Sequence, residues 1–209
     1  MILFENTKIY GWEAAVRGMR NPLNSWDRSD SRFENGGSYI GEKDYALMEK
    51  LAKAGPVHAK YLRMITVTVD IIAPMYWWQE FDTYKVGTVR NSCSKMHTIH
   101  RKEFDTEDFS ADHMTEFSKK MLESVINALN FYRAEYLKDI SIKQNWWQMI
   151  QLLPASYNQR STVQMNYAVL QHIYPDRKDH KLDEWRDFCR WIRSLPHSGL
   201  ITEACDDGS

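Results

Sequence analysis

The chain has 209 residues, enough for one sizeable hydrophobic core, and its 27 Lys and Arg nearly balance its 28 Asp and Glu. The resulting net charge of −1 argues against a general nucleic-acid binder, since such proteins carry a marked excess of basic residues. No apolar run approaches the roughly 18 residues of a membrane-spanning helix, and the first residues lack the regions of a signal peptide. We therefore expect a single domain, located in the cytoplasm and without a membrane segment.

The three cysteines are widely spaced and form no C-x-x-C pair; they are Cys93, Cys189 and Cys205. This pattern indicates neither a disulfide framework nor a thiolate zinc site. We expect all three to be reduced.

Most of the predicted elements are helices. Apolar residues at intervals of three and four, with Gly or Pro as stop signals, predict helices at residues 12–19, 44–54, 110–137, 143–152, 162–174 and 182–195. Alternation of Ile or Val with Thr and Asp predicts one strand at residues 65–71, and Pro74 suits the first turn of an aromatic helix after it. This pattern predicts the α+β class, with a small antiparallel sheet packed against several long helices.

Two regions have the composition of loops. Residues 20–43 are rich in Asn, Ser, Asp and Gly, which predicts a polar loop, either a lid or a mobile segment. Residues 200–209 have the composition of a disordered tail.

The segment from Tyr84 to Lys102 is cationic, with five Lys or Arg and no Asp or Glu. Ammonium, guanidinium, hydroxyl and backbone N–H groups all donate to phosphate oxygens, so the segment is a candidate cradle for a phosphorylated ligand. A solvated basic loop has the same composition. Both interpretations stay open on charge alone.

Other chemical motifs are weak. Cys93, between two serines and near Lys95, is interpreted as a small loop residue, with a thiolate nucleophile as the alternative. His97 and His100 have no third ligand nearby and lie in a cationic segment, so no metal site is predicted. The sequence contains no G-x-S-x-G, G-x-G-x-x-G or Walker segment, and the Trp-Trp pairs at 77–78 and 146–147 are typical of core packing.

The order of the elements from about residue 12 to residue 195 resembles the flavin-dependent thymidylate synthases. Their signature has the form R-H-R-x-x-S-x-N-E-x-S-x-R, and the ungapped counterpart here is T-Y-K-V-G-T-V-R-N-S-C-S-K at residues 83–95. Leu153-Pro154 followed by Tyr157 resembles the L-P-x-x-x-Y-T segment of the family. Arg177 and the stretch 184–186 resemble its closing helix.

The resemblance implies roles for individual residues. Tyr84, Lys85 and Thr88 would be flavin contacts. Glu80, or Gln79 with a shift of one residue, lies where the family has Gln, and Tyr167 or Asn166 lies nearest its phosphate-binding Arg. The residues implied as substrate contacts are Glu80, Arg90, Asn91, Ser92, Cys93, Ser94, Lys95 and Tyr167. No catalytic residue is assigned. Tyr84, Arg90 and Asn91 replace the His, Asn and Glu of the signature.

The resemblance also implies a function. The protein would be a homotetramer that binds FAD, and it would convert dUMP to dTMP with methylenetetrahydrofolate as one-carbon donor and NADPH as hydride source. Two alternatives stay open: a non-catalytic nucleotide-binding or interaction protein on the same fold, and a flavoenzyme acting on another pyrimidine nucleotide.

Overall fold

The computed structural model describes residues 1–34 and 36–203. Its helices are α1 (Trp12–Arg20), α2 (Glu42–Lys53), α3 (Met75–Phe81), α4 (Lys95–Thr98), α5 (Glu116–Lys138), α6 (Lys143–Leu152), α7 (Tyr167–Arg177), α8 (Asp183–Ser194) and α9 (Gly199–Thr202). Short 3-10 helices lie at Asn21–Leu23, Trp26–Arg28, Ala59–Met64 and Thr106–Asp108.

The strands are β1 (Leu3–Tyr10), β2 (Arg32–Glu34), β3 (Gly37–Tyr39), β4 (Thr66–Pro74), β5 (Val89–Ser92) and β6 (Asn158–Asn166). One sheet has four strands in the order β1-β4-β6-β5, and β2 and β3 form a separate antiparallel hairpin. The predicted α+β class with a small antiparallel sheet is confirmed. In the described part of the chain, none of the helices combines the length and the hydrophobicity needed to cross a bilayer.

The chain divides into two compact units by its internal contacts. Unit 1 comprises Met1–Leu3, Ile71–Asp82 and Asn91–Ser161, and unit 2 comprises the described residues of Phe4–Asp70, Thr83–Arg90 and Thr162–Ser209. The prediction of a single domain stays a prediction.

Unit 1 is built around the long helix α5. Leu122, Ile126 and Leu129 lie four or three residues apart on α5, so they form one apolar face, and they cluster with Met149 of α6. In the same unit, α3 buries Trp77, Trp78 and Phe81, with the two indole rings edge to face at 4.9 Å. The predicted core role of this Trp pair is therefore confirmed.

Unit 2 buries the aromatic face of α8. Trp185, Phe188 and Ile192 recur at helical spacing and are fully buried, and Trp185 lies edge to face on Phe188 at 5.7 Å. Burial of each large apolar side chain contributes about 1.5–3 kcal/mol, so this face anchors the C-terminal helices.

The structure corrects the predicted helix at residues 162–174. The first part of this segment belongs to β6, where Ser161, Val163 and Met165 are buried and the residues between them are exposed, a period of two. The helix α7 begins only at Tyr167 and continues past Pro175, which lies in its last turn. The missing N–H of a proline removes only one helical hydrogen bond there.

Two further predictions need correction. The N-terminal residues form β1, which the sequence analysis did not predict, and the supposed loop 20–43 contains the hairpin β2-β3 and two 3-10 turns. The predicted tail 200–209 begins too early, because Leu200 and Ile201 are buried in α9. Residues 204–209, with Cys205, lie outside the described residues.

A buried ion pair holds the polar segment after α1. Arg20 and Asp44 are 5% and 0% exposed, and Arg20 Nε donates to Asp44 Oδ1 at 2.6 Å. The hydroxyls of Ser29 and Ser31 donate to the other carboxylate oxygen at 2.6 and 2.7 Å. Burial alone would raise the pKa of Asp44, but these hydrogen bonds and the charge of Arg20 together hold the pKa below its usual value.

We predict that Asp44→Asn lowers the free energy of unfolding by about 3–5 kcal/mol at neutral pH, because it leaves Arg20 buried without its counter-charge. A lowered folded-state pKa stabilises the protein above the ordinary Asp value of 3.8, and this stabilisation is lost as the pH falls through the folded-state pKa. The difference between wild type and variant, measured by urea denaturation, should therefore shrink at acid pH. A difference independent of pH would contradict this account. Asp27→Asn, an exposed change in the same segment, serves as the control and should cost less than about 0.5 kcal/mol.

Candidate functional site

A cavity of about 500 Å³ lies within unit 2, between the segment after α3 and the first turns of α7. A volume of this size is typical of small-molecule sites. The residues that line it are Arg63, Thr83, Tyr84, Lys85, Val86, Gly87, Asn166, Ala168, Val169 and His172. A second cavity of about 360 Å³ shares Arg63, Ala168 and His172 with it, so the two adjoin.

The cavity walls carry cations that lack partners. Within residues 1–34 and 36–203, neither the Lys85 ammonium nor the Arg63 guanidinium forms an ion pair or a side-chain hydrogen bond. Both side chains are exposed, and no Asp or Glu is among the lining residues. The electrostatic potential here favours an anion.

The start of α7 adds to this potential. Asn166 caps the helix, accepting a hydrogen bond from the Val169 N–H at 3.0 Å, and both residues line the cavity. A helix N-terminus carries a partial positive charge and favours negative groups. The two cations and the helix end therefore favour the same kind of ligand.

A hydrogen bond from Arg177 and contacts with two aromatic rings fix the position of Tyr84. Arg177 Nε donates to the Tyr84 hydroxyl at 2.7 Å, and the Arg177 guanidinium lies 4.3 Å from the centre of the Trp185 ring. The Tyr84 ring itself lies edge to face with Trp185 at 5.9 Å and with His172 at 6.3 Å. Because Trp185 is fully buried, the cavity wall is tied to the core of unit 2.

Two neighbours of Lys85 show why the loop takes its path. Gly87 has a φ of +77°, and a Cβ there would lie 2.9 Å from Val169 Cγ2 and 3.3 Å from Asn166 Nδ2. Glycine therefore permits both the left-handed conformation and the close approach to α7. Thr88 Oγ1 is buried and has no hydrogen-bond partner among the described residues, so a bound acceptor or donor could satisfy it.

In unit 1, two hydrogen bonds hold the backbone of Cys93 against β6. Its N–H donates to the Arg160 carbonyl at 3.0 Å, and its carbonyl accepts from Gln159 Nε2 at 2.7 Å. The side chains of Asn91, Ser92, Cys93 and Ser94 are exposed on this segment. Lys95 Nζ lies 2.9 Å from the sulfur of Met75.

Comparison with known proteins gives structural matches only. No protein-family model matches the sequence, and no curated protein matches it. Two solved structures of the flavin-dependent thymidylate synthase ThyX from Helicobacter pylori, both with FAD and dUMP, match it. One has a TM-score of 0.69, 20% identity and coverage of 97% of this chain and 98% of that chain. The other has a TM-score of 0.74, 18% identity and 98% coverage of both chains. The chain has the fold of the flavin-dependent thymidylate synthases.

A third solved structure with this fold is the UMP/dUMP methylase PolB from Streptomyces cacaoi, bound to 5-bromo-dUMP. It matches with a TM-score of 0.62 and 15% identity, covering 98% of this chain and 95% of that chain. The fold predicted from the resemblance is therefore confirmed over almost the whole chain.

The structure separates the predicted site residues into three groups. Tyr84 and Lys85 line the cavity of unit 2. Thr88 directly follows Gly87, which also lines this cavity. Arg90 lies on β5, also in unit 2, while Glu80 on α3 and residues 91–95 belong to unit 1. Tyr167 is fully buried, and its hydroxyl donates to the Pro196 carbonyl at 2.5 Å, an arrangement typical of a core residue.

Arg63 and His172 line the cavity but were not predicted as site residues. Arg63 precedes β4 in a 3-10 segment without any motif, and its place in the cavity comes from tertiary folding. His172 lies four residues after Ala168, so helical spacing places the two on one face of α7, but no motif marks this face as a cavity wall. Within residues 1–34 and 36–203, no cluster of three or more His, Cys, Asp or Glu has the arrangement of a metal site.

We predict that Gly87→Ala destabilises the protein more than Gly55→Ala. Both glycines have positive φ, at +77° and +95°, so each alanine costs about 1–2 kcal/mol from backbone strain. Only at Gly87 would the new methyl group meet neighbours within 4 Å, and overpacking adds about 1–3 kcal/mol. Chemical denaturation of both variants measures the difference. Equal losses would show that the close approach to α7 does not constrain the loop.

Proposed function

We propose that the protein is a divergent flavin-dependent nucleotide methyltransferase of the thymidylate synthase type, a homotetramer that converts dUMP to dTMP. Methylenetetrahydrofolate would provide the one-carbon unit, and NADPH would provide the hydride. The observation that carries this proposal is the pair of unpartnered cations, Lys85 and Arg63, in a cavity beside the N-terminus of α7, on a fold whose neighbours were solved with FAD and dUMP.

The residues of the cavity fit the diphosphate of FAD. Lys85 and Arg63 would donate charge-assisted hydrogen bonds to phosphate oxygens, with Arg63 offering a planar fork and Lys85 a mobile point charge. The Thr88 hydroxyl, buried without a partner in the described chain, would donate to the same group. Gly87 lets the backbone of this loop lie close to Asn166 and Val169, which line the same cavity.

When bound and reduced, the flavin would supply the electrons and carry the one-carbon unit, so the protein would supply position and electrostatics. Tyr84 would form part of the wall of the flavin site, and Arg177 and Trp185 hold its side chain in place. Its phenol cannot replace the charge of the family's histidine or arginine, so Lys85 and Arg63 would balance the diphosphate charge instead.

The nucleotide contacts of unit 1 would come from residues 91–95 together with Glu80. The pinned backbone at Cys93 leaves the side chains of Asn91, Ser92 and Ser94 exposed, where amide and hydroxyl groups can bond to a base or sugar. Lys95 would hold the phosphate, and Arg90 stays a substrate contact implied by the resemblance. Tyr167 is better explained as a core residue than as a substrate contact, because its hydroxyl is already bonded to Pro196.

The second candidate function is the methylation of a pyrimidine nucleotide other than dUMP. Arg90 and Asn91 stand where the signature has Asn and Glu, so the hydrogen-bonding groups offered to the nucleotide differ. A fold neighbour described as a UMP/dUMP methylase supports this candidate. Thermal-shift profiling with pyrimidine nucleotides distinguishes the two, because a ligand that binds only the folded state raises the melting temperature.

We predict that the purified protein takes up FAD and shows flavin absorbance. With dUMP, methylenetetrahydrofolate and NADPH, it should then form dTMP, detected by mass spectrometry. A protein that takes up no FAD would remove the flavoenzyme proposal. Tight nucleotide binding without flavin or turnover would instead support a non-catalytic nucleotide-binding protein.

We predict that Lys85→Ala and Arg63→Ala each weaken FAD binding about tenfold or more. Each change removes a charge-assisted hydrogen bond worth about 1.5–3 kcal/mol, and about 1.4 kcal/mol corresponds to a factor of ten. Flavin fluorescence titration measures the affinity, which should also fall with added salt. Lys50→Ala, which removes an exposed lysine of α2 outside both cavities, is the matched control and should bind FAD like wild type. Unchanged affinity in both cavity variants would show that this cavity does not hold the diphosphate.

A further inference from the structure

Unit 2 contains another cavity, of about 520 Å³, which shares no lining residue with the proposed flavin site. Residues of β1, the start of α1, the hairpin β2-β3 and the connection from α8 to α9 form its walls. Two indoles, an imidazole and several hydroxyls line it, including Trp12, Trp191, His197, Thr7, Ser38 and Ser194. None of the described residues that line this cavity is an Asp, Glu, Lys or Arg.

The wall around Trp191 is rigid. The Trp191 ring stacks on Phe4 at 5.1 Å and an interplanar angle of 9°, and its Nε1 donates to the Thr7 hydroxyl at 3.2 Å. Because the Thr7 oxygen accepts this bond, the hydroxyl proton can still donate to another group. The Ser194 hydroxyl donates to the Trp191 carbonyl at 2.7 Å.

His197 is held in a strained conformation at the other side of the cavity. Its φ is +53°, a left-handed value that is uncommon for residues other than glycine and that occurs often at functional sites. The ring lies against Trp12 at 5.0 Å and Tyr45 at 5.2 Å. Within residues 1–34 and 36–203, its nitrogens form no hydrogen bond.

The protonation state of His197 suits a neutral ligand. Burial lowers the pKa of His197, so the imidazole is uncharged at neutral pH. An uncharged imidazole offers one N–H donor and one nitrogen acceptor. A charged ligand would lose its hydration here without gaining a counter-charge from the walls.

We propose that this cavity is a second binding site, which takes a small, uncharged, planar aromatic molecule with hydrogen-bonding atoms along one edge. The flat rings of Trp12 and Trp191 match the shape of such a molecule, and His197, Thr7 and Ser38 match its polar edge. The site is independent of the flavin and the nucleotide.

Benzimidazole is the probe, because it is planar, largely uncharged at mildly alkaline pH and carries a donor and an acceptor nitrogen. We expect saturable binding of one molecule per chain by calorimetry, and weaker or undetectable binding of benzoate, which is planar but anionic. The variant His197→Asn should weaken benzimidazole binding about tenfold, since asparagine tolerates positive φ but lacks the aromatic ring. A wild-type protein that binds no benzimidazole would overturn the proposal.

His172→Asn is the matched control, because it makes the same chemical change in the other cavity. It should leave benzimidazole affinity unchanged; a loss in His172→Asn without a loss in His197→Asn would place the probe elsewhere and overturn the proposal. Ser38→Tyr, at an exposed position on β3, fills the cavity mouth with little risk to folding and should also abolish binding. Circular dichroism and melting curves of all variants confirm that they are folded.

Discussion

Two unpartnered cations, Lys85 and Arg63, are the constraint on which the candidate site depends. Like charges on one cavity wall repel each other, and the positive end of α7 adds to the repulsion. Nothing among the lining residues offsets this charge, because they include no acid. An anionic ligand removes the repulsion and gains two donors, so the arrangement favours phosphate over any neutral group. The buried core of unit 2, to which Trp185 belongs, provides the stability that such a wall requires.

The anchoring of Tyr84 explains how the fold is compatible with an altered signature. A phenol at this position cannot act as a cation, but its hydroxyl accepts from Arg177 and its ring packs on the buried Trp185. The guanidinium of Arg177 is thereby engaged in holding the loop, and its face lies over the same Trp185 ring. Tyr84 is thus held in place without carrying a charge, while Lys85 in the same loop and Arg63 before β4 supply the cations of the cavity.

The sequence predicted those elements whose period is regular and whose ends carry strong signals. The helices α1, α2 and α6 and the strand β4 were predicted because their apolar residues recur at regular intervals. Gly55-Pro56 and Pro74 mark ends of elements at the positions that this spacing indicates. The strand β6 was read as helix because its short alternation runs directly into α7 without a Gly or Pro between them. Lys85 was found through local charge. Arg63 was missed because only tertiary folding brings it to the wall of the cavity, and no local pattern records that contact.

Sites that bind a phosphate and sites that bind the edge of a base recognise their ligands in different ways. A phosphate can be bound by a lysine, an arginine or a helix end, although these groups differ in the geometry of their donors. A pyrimidine edge is recognised by a fixed pattern of donors and acceptors, and one altered group leaves a buried polar atom unpaired. The changes at Arg90 and Asn91 fall on the proposed nucleotide contacts, and the change at Tyr84 falls on the proposed flavin contacts, where Lys85 and Arg63 supply cations. On this reasoning, an altered group at a nucleotide contact affects which nucleotide binds more than an altered donor at a phosphate affects whether the cofactor binds.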